Sequence, residues 1–240
     1  MITLGFKILA FSSHTGDIEI TAGGTILRNA EEGGRCLILH MFKPSGKWAR
    51  PPGVSVEEYA ETRVKQALEA ARKLNAEVDF LGCVEGVPYD AEEVKLKMYR
   101  SLSEFKPDAV LMHWKGSYHP DHLACHLLAI QAFERFTGEH RAEGKRSMPV
   151  GLYYPENWED PQGFQPEVYV DVSSVFEKYL DVIKTYDFTS GKYSGFNYVD
   201  YYSCLKRIRG LEVGFQYAEA FMTFGDWGVK RIRRRSLLGE

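Results

Sequence analysis

Short aliphatic runs alternate with longer amphipathic segments along most of this 240-residue chain, and that alternation constrains the fold more than any other feature. "KILAF" (7–11), "RCLILHMF" (35–42), "EVDFLG" (77–82), "DAVLMHW" (108–114), "PVGLYYP" (149–155) and "VYVDVS" (168–173) have the length and residue types of strands. Between and after them, residues 24–34, 55–76, 91–105, 121–136, 174–187 and 199–209 read as helices. The 24–34 segment is opened by Gly23-Gly24 and stopped by Gly33-Gly34. The 55–76 segment has the clearest start, because Ser55 followed by Glu58 is a capping-box pattern. Alternating β and α elements require right-handed crossovers between parallel strands. The expected fold class is therefore α/β: a Rossmann-like open, mostly parallel sheet with helices on both faces. No repeat or low-complexity linker interrupts the pattern, so a single domain over residues 1–240 is expected, ending in a basic tail over about 228–240.

Composition removes several function classes. With 44% hydrophobic and 26% charged residues the chain is of the soluble globular kind. A net charge of -3 argues against a general nucleic-acid or membrane-surface role. No apolar run approaches the roughly 18 residues a membrane helix needs, and the start lacks the features of a signal peptide. Cys36, Cys83, Cys125 and Cys204 lie far apart with no C-x-x-C pair, which suits reduced thiols and a cytoplasmic location.

Chemistry concentrates behind two of the strands. In an open α/β sheet, ligands bind outside the carboxyl ends of the strands. "SSHTGDIE" follows "KILAF", and "HWKGSYHPDHLACH" follows "AVLM", so the two clusters can meet at one edge. Together they offer His14, Asp17, Glu19, His113, His119, Asp121, His122 and His126. A His in a strand-end loop is by itself an ordinary hydrogen-bonding residue; so many imidazoles and carboxylates together point to a metal. Two His and one Asp around a zinc ion leave an open position for water, whose pKa falls to about 7 when bound. A phosphate cradle at Gly23-Gly24 fits less well, since there is no G-x-G-x-x-G and acidic residues stand where an anion would sit.

These segments resemble the PIG-L or LmbE-like deacetylases, zinc enzymes that remove N-acetyl groups from amino sugars. The family's first motif, A-H-P-D-D-E with a downstream Gly-Gly pair, aligns without a gap on "SHTGDIEITAGGT", and its second, H-P-D-H, is intact as "HPDH" from His119 to His122. "TRVKQALEAARKLNAEV" resembles the family's Arg-containing helix; Arg63 fits, Gln66 stands where a Glu is usual and Asn75 where a Gly is usual. The resemblance covers about residues 5–135. It implies that His14, Asp17 and His122 hold one Zn2+ per subunit, that His119 stabilises the oxyanion or protonates the leaving group, and that Asp121 orients a neighbouring His. Arg63 is then expected, with Lys43, Trp114 and Lys115, to face the substrate.

One departure matters. The family's first motif Asp, taken as the general base, is Gly16 here, and the motif Glu is Ile18. Glu19, Asp121 or a group from the 43–54 loop could take its place, although that loop holds Lys43, Lys47 and Arg50 and no acidic residue. A branch of the same family, the 4-oxalomesaconate hydratases, also has H-x-x-D with a small residue before the Asp. Three functions are therefore expected in turn: a zinc-dependent N-deacetylase, a zinc hydratase of a carboxylated metabolite, and a metal-binding protein that has lost turnover. The expected partner is a small molecule, an amino sugar or carboxylated metabolite, with no nucleic acid or membrane, and the subunit is expected to form a homo-oligomer. "PENWED" (155–160) could contact a sugar through Trp158 or be a surface turn; the aromatics between 193 and 227 suit core packing or a subunit interface.

Overall fold

Eight strands form one sheet in the computed structural model, which describes residues 5–44, 49–86, 91–142, 151–223 and 232–234. They are β1 (Lys7–Ser12), β2 (Arg35–Phe42), β3 (Glu77–Cys83), β4 (Ala109–Leu111), β5 (Gly151–Pro155), β6 (Val168–Asp171), β7 (Ala218–Thr223) and β8 (Ile232–Arg234). The strand order is β3-β2-β1-β4-β5-β7-β6-β8. The first five positions run parallel, whereas β7 is antiparallel to both β5 and β6. The expected α/β architecture is present, with an antiparallel strand inserted near one edge.

The period of two along each strand divides the core. Ile8, Ala10, Ile38 and Leu111 face one layer, with apolar residues of α1 (Asp17–Glu31), α2 (Val56–Leu74), α5 (Phe176–Ile183) and α6 (Tyr198–Val213). Leu9, Phe11, Leu39 and Val110 face the other, with those of α3 (Glu92–Phe105) and α4 (Pro120–Ala142). Both faces of the central strands are buried, which is why they read as continuous apolar runs rather than alternating ones.

Several expectations are corrected at their edges. The first helix begins at Asp17, not near residue 24, so the chemistry-bearing segment is its first turn and Gly23-Gly24 lie in its middle. Those glycines serve packing: a Cβ on Gly24 would stand 2.8 Å from Val172 Cγ1 and 2.9 Å from Glu219 Oε1. Glu219 in turn accepts hydrogen bonds from the Gly24 and Thr25 amides and pairs with Lys206 Nζ at 2.7 Å, all buried. The 55–76 helix keeps its expected start, with the Ser55–Glu58 capping box formed, and ends where Asn75 adopts a left-handed conformation at φ 53°. Asn tolerates that conformation better than other side chains, so it can replace the usual Gly. β7 is a strand that its sequence does not announce. Of the basic end, Ile232–Arg234 pairs in parallel with β6 rather than forming tail, and the rest lies outside the described residues.

Candidate metal centre

β1 is flanked by β2 and β4, and the loops leaving the carboxyl ends of β1, β4 and β5 converge at the same edge. Parallel pairing of β1, β4 and β5 thus brings three distant segments together: residues 12–17, 113–122 and 156–160. The first turns into α1 through Gly16, whose φ of 107° is a conformation that L side chains rarely adopt. Asp17 then folds back, its Oδ2 accepting the His14 amide at 2.7 Å.

Three overlapping sets have donor atoms close enough to share an ion: His14–Asp17–His122, His14–His119–Asp121 and His113–His122–Asp160. In the first, Asp17 Oδ2 lies 3.5 Å from both His14 Nδ1 and His122 Nε2. Tetrahedral zinc with bonds near 2.1 Å separates its ligand atoms by about 3.4 Å, so these spacings fit one ion. His122 Nε2 is buried and has no hydrogen-bond partner, which is costly unless something fills the position. The ring's other nitrogen is fixed by Asp160 Oδ1 at 2.9 Å. Asp160 also holds His113, whose Nδ1 is 3.0 Å from Oδ2 while its Nε2 accepts the Ser13 amide. The third set therefore carries its own internal partners at every nitrogen except His122 Nε2.

The electrostatics show a shortage of positive charge. Burial lowers the His14 pKa, yet Asp121 and Asp17 overcome it and hold the ring up at about 10. His113 is likewise raised to about 9, where Asp160 outweighs burial. Burial and the neighbouring His113 push His122 down to about 4, leaving it a neutral donor. Among the carboxylates, burial and the nearby Asp17 raise Glu159 to about 7. The carboxylates of Asp17 and Asp121 thus favour positive charge on the buried His14 ring.

The other expected residues divide. His119 stands over the centre, stacked on His122 with ring centres 4.7 Å apart and edge-on to His14 at 5.0 Å. Its Nδ1 accepts the Asp121 amide, which assigns the neutral ring's proton to Nε2. Asp121 reaches His14 Nε2 at 3.3 Å and accepts the Gly86 amide. Lys43 is exposed at the end of β2, and Lys115 is exposed beside Trp114. Lys47 lies outside the described residues.

Several expectations change. Glu19 is 0% exposed; its Oε1 accepts from the Tyr186 hydroxyl and lies 3.3 Å from His40 Nε2, so it cannot reach water in the cleft as a base. It supports the site indirectly, since His40 Nδ1 contacts the His14 carbonyl. Arg63 is buried rather than facing substrate: it donates to the Thr15 carbonyl and Gln66, and its guanidinium lies 4.1 Å from the Phe188 ring centre. Trp114 donates its indole N–H to the Gln162 carbonyl and packs against Tyr154, which makes it a staple for the 160s loop. His126 is buried with Nδ1 on the His113 carbonyl, away from the centre. Trp158 is stacked on Phe196 at 4.2 Å, so that face is closed to a sugar. The "PENWED" segment, expected as a sugar contact or a surface turn, instead brings Asp160 and Glu159 against His122, a placement that an acidic run at the carboxyl end of a strand only hints at.

No helix among the described residues is long and apolar enough to cross a membrane. The chain is similar to the 4-carboxy-2-hydroxymuconate hydratase of Pseudomonas putida, with TM-score 0.78, 21% identity, and coverage of 94% of this chain and 99% of that one. It is also similar to N,N'-diacetylchitobiose deacetylase of Pyrococcus horikoshii, with TM-score 0.72, 22% identity, and coverage of 91% and 83%. A conserved protein of Thermus thermophilus matches with TM-score 0.74 at 25% identity, covering 93% and 99%. These likenesses establish a shared fold. Residues 9–133 match the family model described as PIG-L, GlcNAc-PI de-N-acetylase, and the chain belongs to that family.

Proposed function

We propose that the protein is a zinc-dependent hydrolase that removes the acetyl group from an N-acetylated amino sugar or a related amide. The observation that carries this reading is the spacing of His14, Asp17 and His122, with a buried His122 nitrogen left without a partner. These three residues would hold the ion. When bound, zinc supplies a Lewis acid and lowers the pKa of its water towards 7. The chain's own groups do the rest. Asp160 and Asp121 keep the His122 and His14 rings turned inward. His119, neutral with its proton on Nε2, donates to the acyl oxygen as charge develops there. Lys43 and Lys115, both exposed, would meet polar groups of the substrate.

A second reading draws on Gly16. A site without a carboxylate at that position also suits water addition to an unsaturated, carboxylated metabolite, where Lys43 and Lys115 would face the carboxylates. The test begins with metal analysis of the purified protein against Asp17→Ala. Equal zinc in both would reject the metal site. Acetate release from a panel of N-acetyl sugars, set beside hydration of enoic diacids, then separates hydrolase from hydratase.

A further inference from the structure

We propose that Glu159 is the catalytic base, supplying from the β5 loop the carboxylate that the chain lacks at Gly16. This rests on the metal reading above and extends it to a residue that the family motifs do not contain.

The acidic groups around the centre can be taken in turn. Asp17 accepts the His14 amide and faces His122. Asp121 is occupied by the Gly86 amide and His14. Asp160 is occupied by His113 and His122. Glu19 is sealed beneath the site with Tyr186 and His40. Glu159 differs from all four in that, among the described residues, its carboxylate accepts no hydrogen bond, while its side chain is 19% exposed. Its Oε2 lies 3.7 Å from His122 Nε2, the same nitrogen that Asp17 Oδ2 approaches at 3.5 Å.

The main chain holds it there. The Glu159 amide donates to Asn157 Oδ1, and its carbonyl accepts from the Tyr118 amide and the Ser117 hydroxyl. The next residue, Asp160, is fixed to both buried rings. A carboxylate that accepts no hydrogen bond among the described residues, on a fixed backbone and beside the His122 nitrogen, has the placement that proton abstraction from a water at the centre needs. Position 16 could not provide it without rearrangement, because a Cβ there would meet Phe188 Cζ at 3.1 Å.

In amide hydrolysis the water oxygen bonds to the acyl carbon as Glu159 takes one water proton. The C–N bond then breaks, the amine nitrogen receives that proton from Glu159, and the acid and amine leave with the carboxylate restored. In the hydratase reading the same carboxylate takes the proton as the water oxygen bonds to an alkene carbon, and the adjacent carbon is protonated in turn.

The experiment needs no substrate. Wild type and Glu159→Gln are loaded with zinc, and acetohydroxamic acid binding is followed by calorimetry at mildly alkaline pH, in two buffers of different ionisation enthalpy. The hydroxamate binds as its anion, so its proton goes either to the protein or to the buffer. Wild type should retain that proton, whereas Glu159→Gln, with undiminished zinc, should release it to buffer and bind at least about tenfold more weakly. Equal affinity and equal proton release would overturn the role of Glu159 while leaving the metal centre standing. Loss of zinc from Glu159→Gln would overturn it too, by making Glu159 a ligand. A wild type that takes up no zinc would reject the metal reading, and this inference with it.

Discussion

Asp160 Oδ1 lies 2.9 Å from His122 Nδ1, and that contact leaves His122 Nε2 pointing at Asp17. A ring free to rotate would offer either nitrogen; a ring tied at one offers only the other. Replacing Asp160 by Asn preserves volume but lets the amide group present a donor to Nδ1, favouring the wrong tautomer. Zinc affinity, measured by competition with a chromophoric chelator, is expected to fall about 10–100-fold in Asp160→Asn.

Metal should also stabilise the fold, because Asp17 and His122 come together only in the folded chain. At a free zinc concentration about 100 times Kd, linkage adds about 2.7 kcal/mol, which in a chain of this size raises Tm by roughly 5–10 °C. Thermal scans with zinc and with a chelator should differ by that amount in wild type. Asp17→Ala should show no such response.

The buried ion pair behind α1 gives a prediction independent of metal. Lys206 Nζ contacts Glu219 Oε1 at 2.7 Å and the Ile20 and Thr21 carbonyls at 3.3 Å, within a buried pocket beside Tyr179. Lys206→Met leaves the Glu219 carboxylate buried with only the two helix amides for partners. Denaturant unfolding should register a loss of about 3–5 kcal/mol. Adding Glu219→Gln should recover part of it, since the uncompensated charge is then gone.

What the sequence disclosed follows from the range of the forces involved. β2 and the start of α2 were legible because eight consecutive apolar-rich residues and a Ser55–Glu58 capping box are local signals. The start of α1 was not, because Gly23-Gly24 look like a helix opening until Val172 and Glu219 are seen packed against them. β7 was hidden since "AEAFMT" has no β-branched run; its Glu219 points to a buried lysine thirteen residues earlier. His14, Asp17 and His122 could be named from motifs, but the burial of Arg63 and Glu19 depends on Phe188, Tyr186 and His40, which no spacing connects. Asp160 reaches His122 only because β5 pairs in parallel with β4, a tertiary fact.

Gly24 should be intolerant of even one methyl group. Its Cβ would stand 2.8 Å from Val172 Cγ1, nearer than real Cβ contacts come, and 2.9 Å from the carboxylate that pairs with Lys206. Gly24→Ala is expected to cost about 1–3 kcal/mol despite the better helix propensity of Ala. Urea midpoints measure this directly, and a stability equal to or above wild type would mean that α1 can move away from Glu219.

Gly16 poses the same question at the centre itself. Its φ of 107° disfavours any side chain, and Phe188 Cζ would lie 3.1 Å from the added Cβ. Gly16→Asp, which writes the family's usual carboxylate back into the motif, should therefore lose about 1–2 kcal/mol of stability from backbone conformation alone. Trimming Phe188 to Ala in the same chain relieves the contact but not the φ, and it also uncovers the Arg63 guanidinium that now lies against that ring. Phe188→Ala also carries its own cost of core truncation, so it is measured alone as well. Backbone strain predicts that the costs of the two single changes add in the double variant, whereas a steric penalty predicts a double variant more stable than that sum. Urea midpoints of wild type, the two single variants and the double variant separate backbone strain from crowding as the reason a glycine stands at this turn.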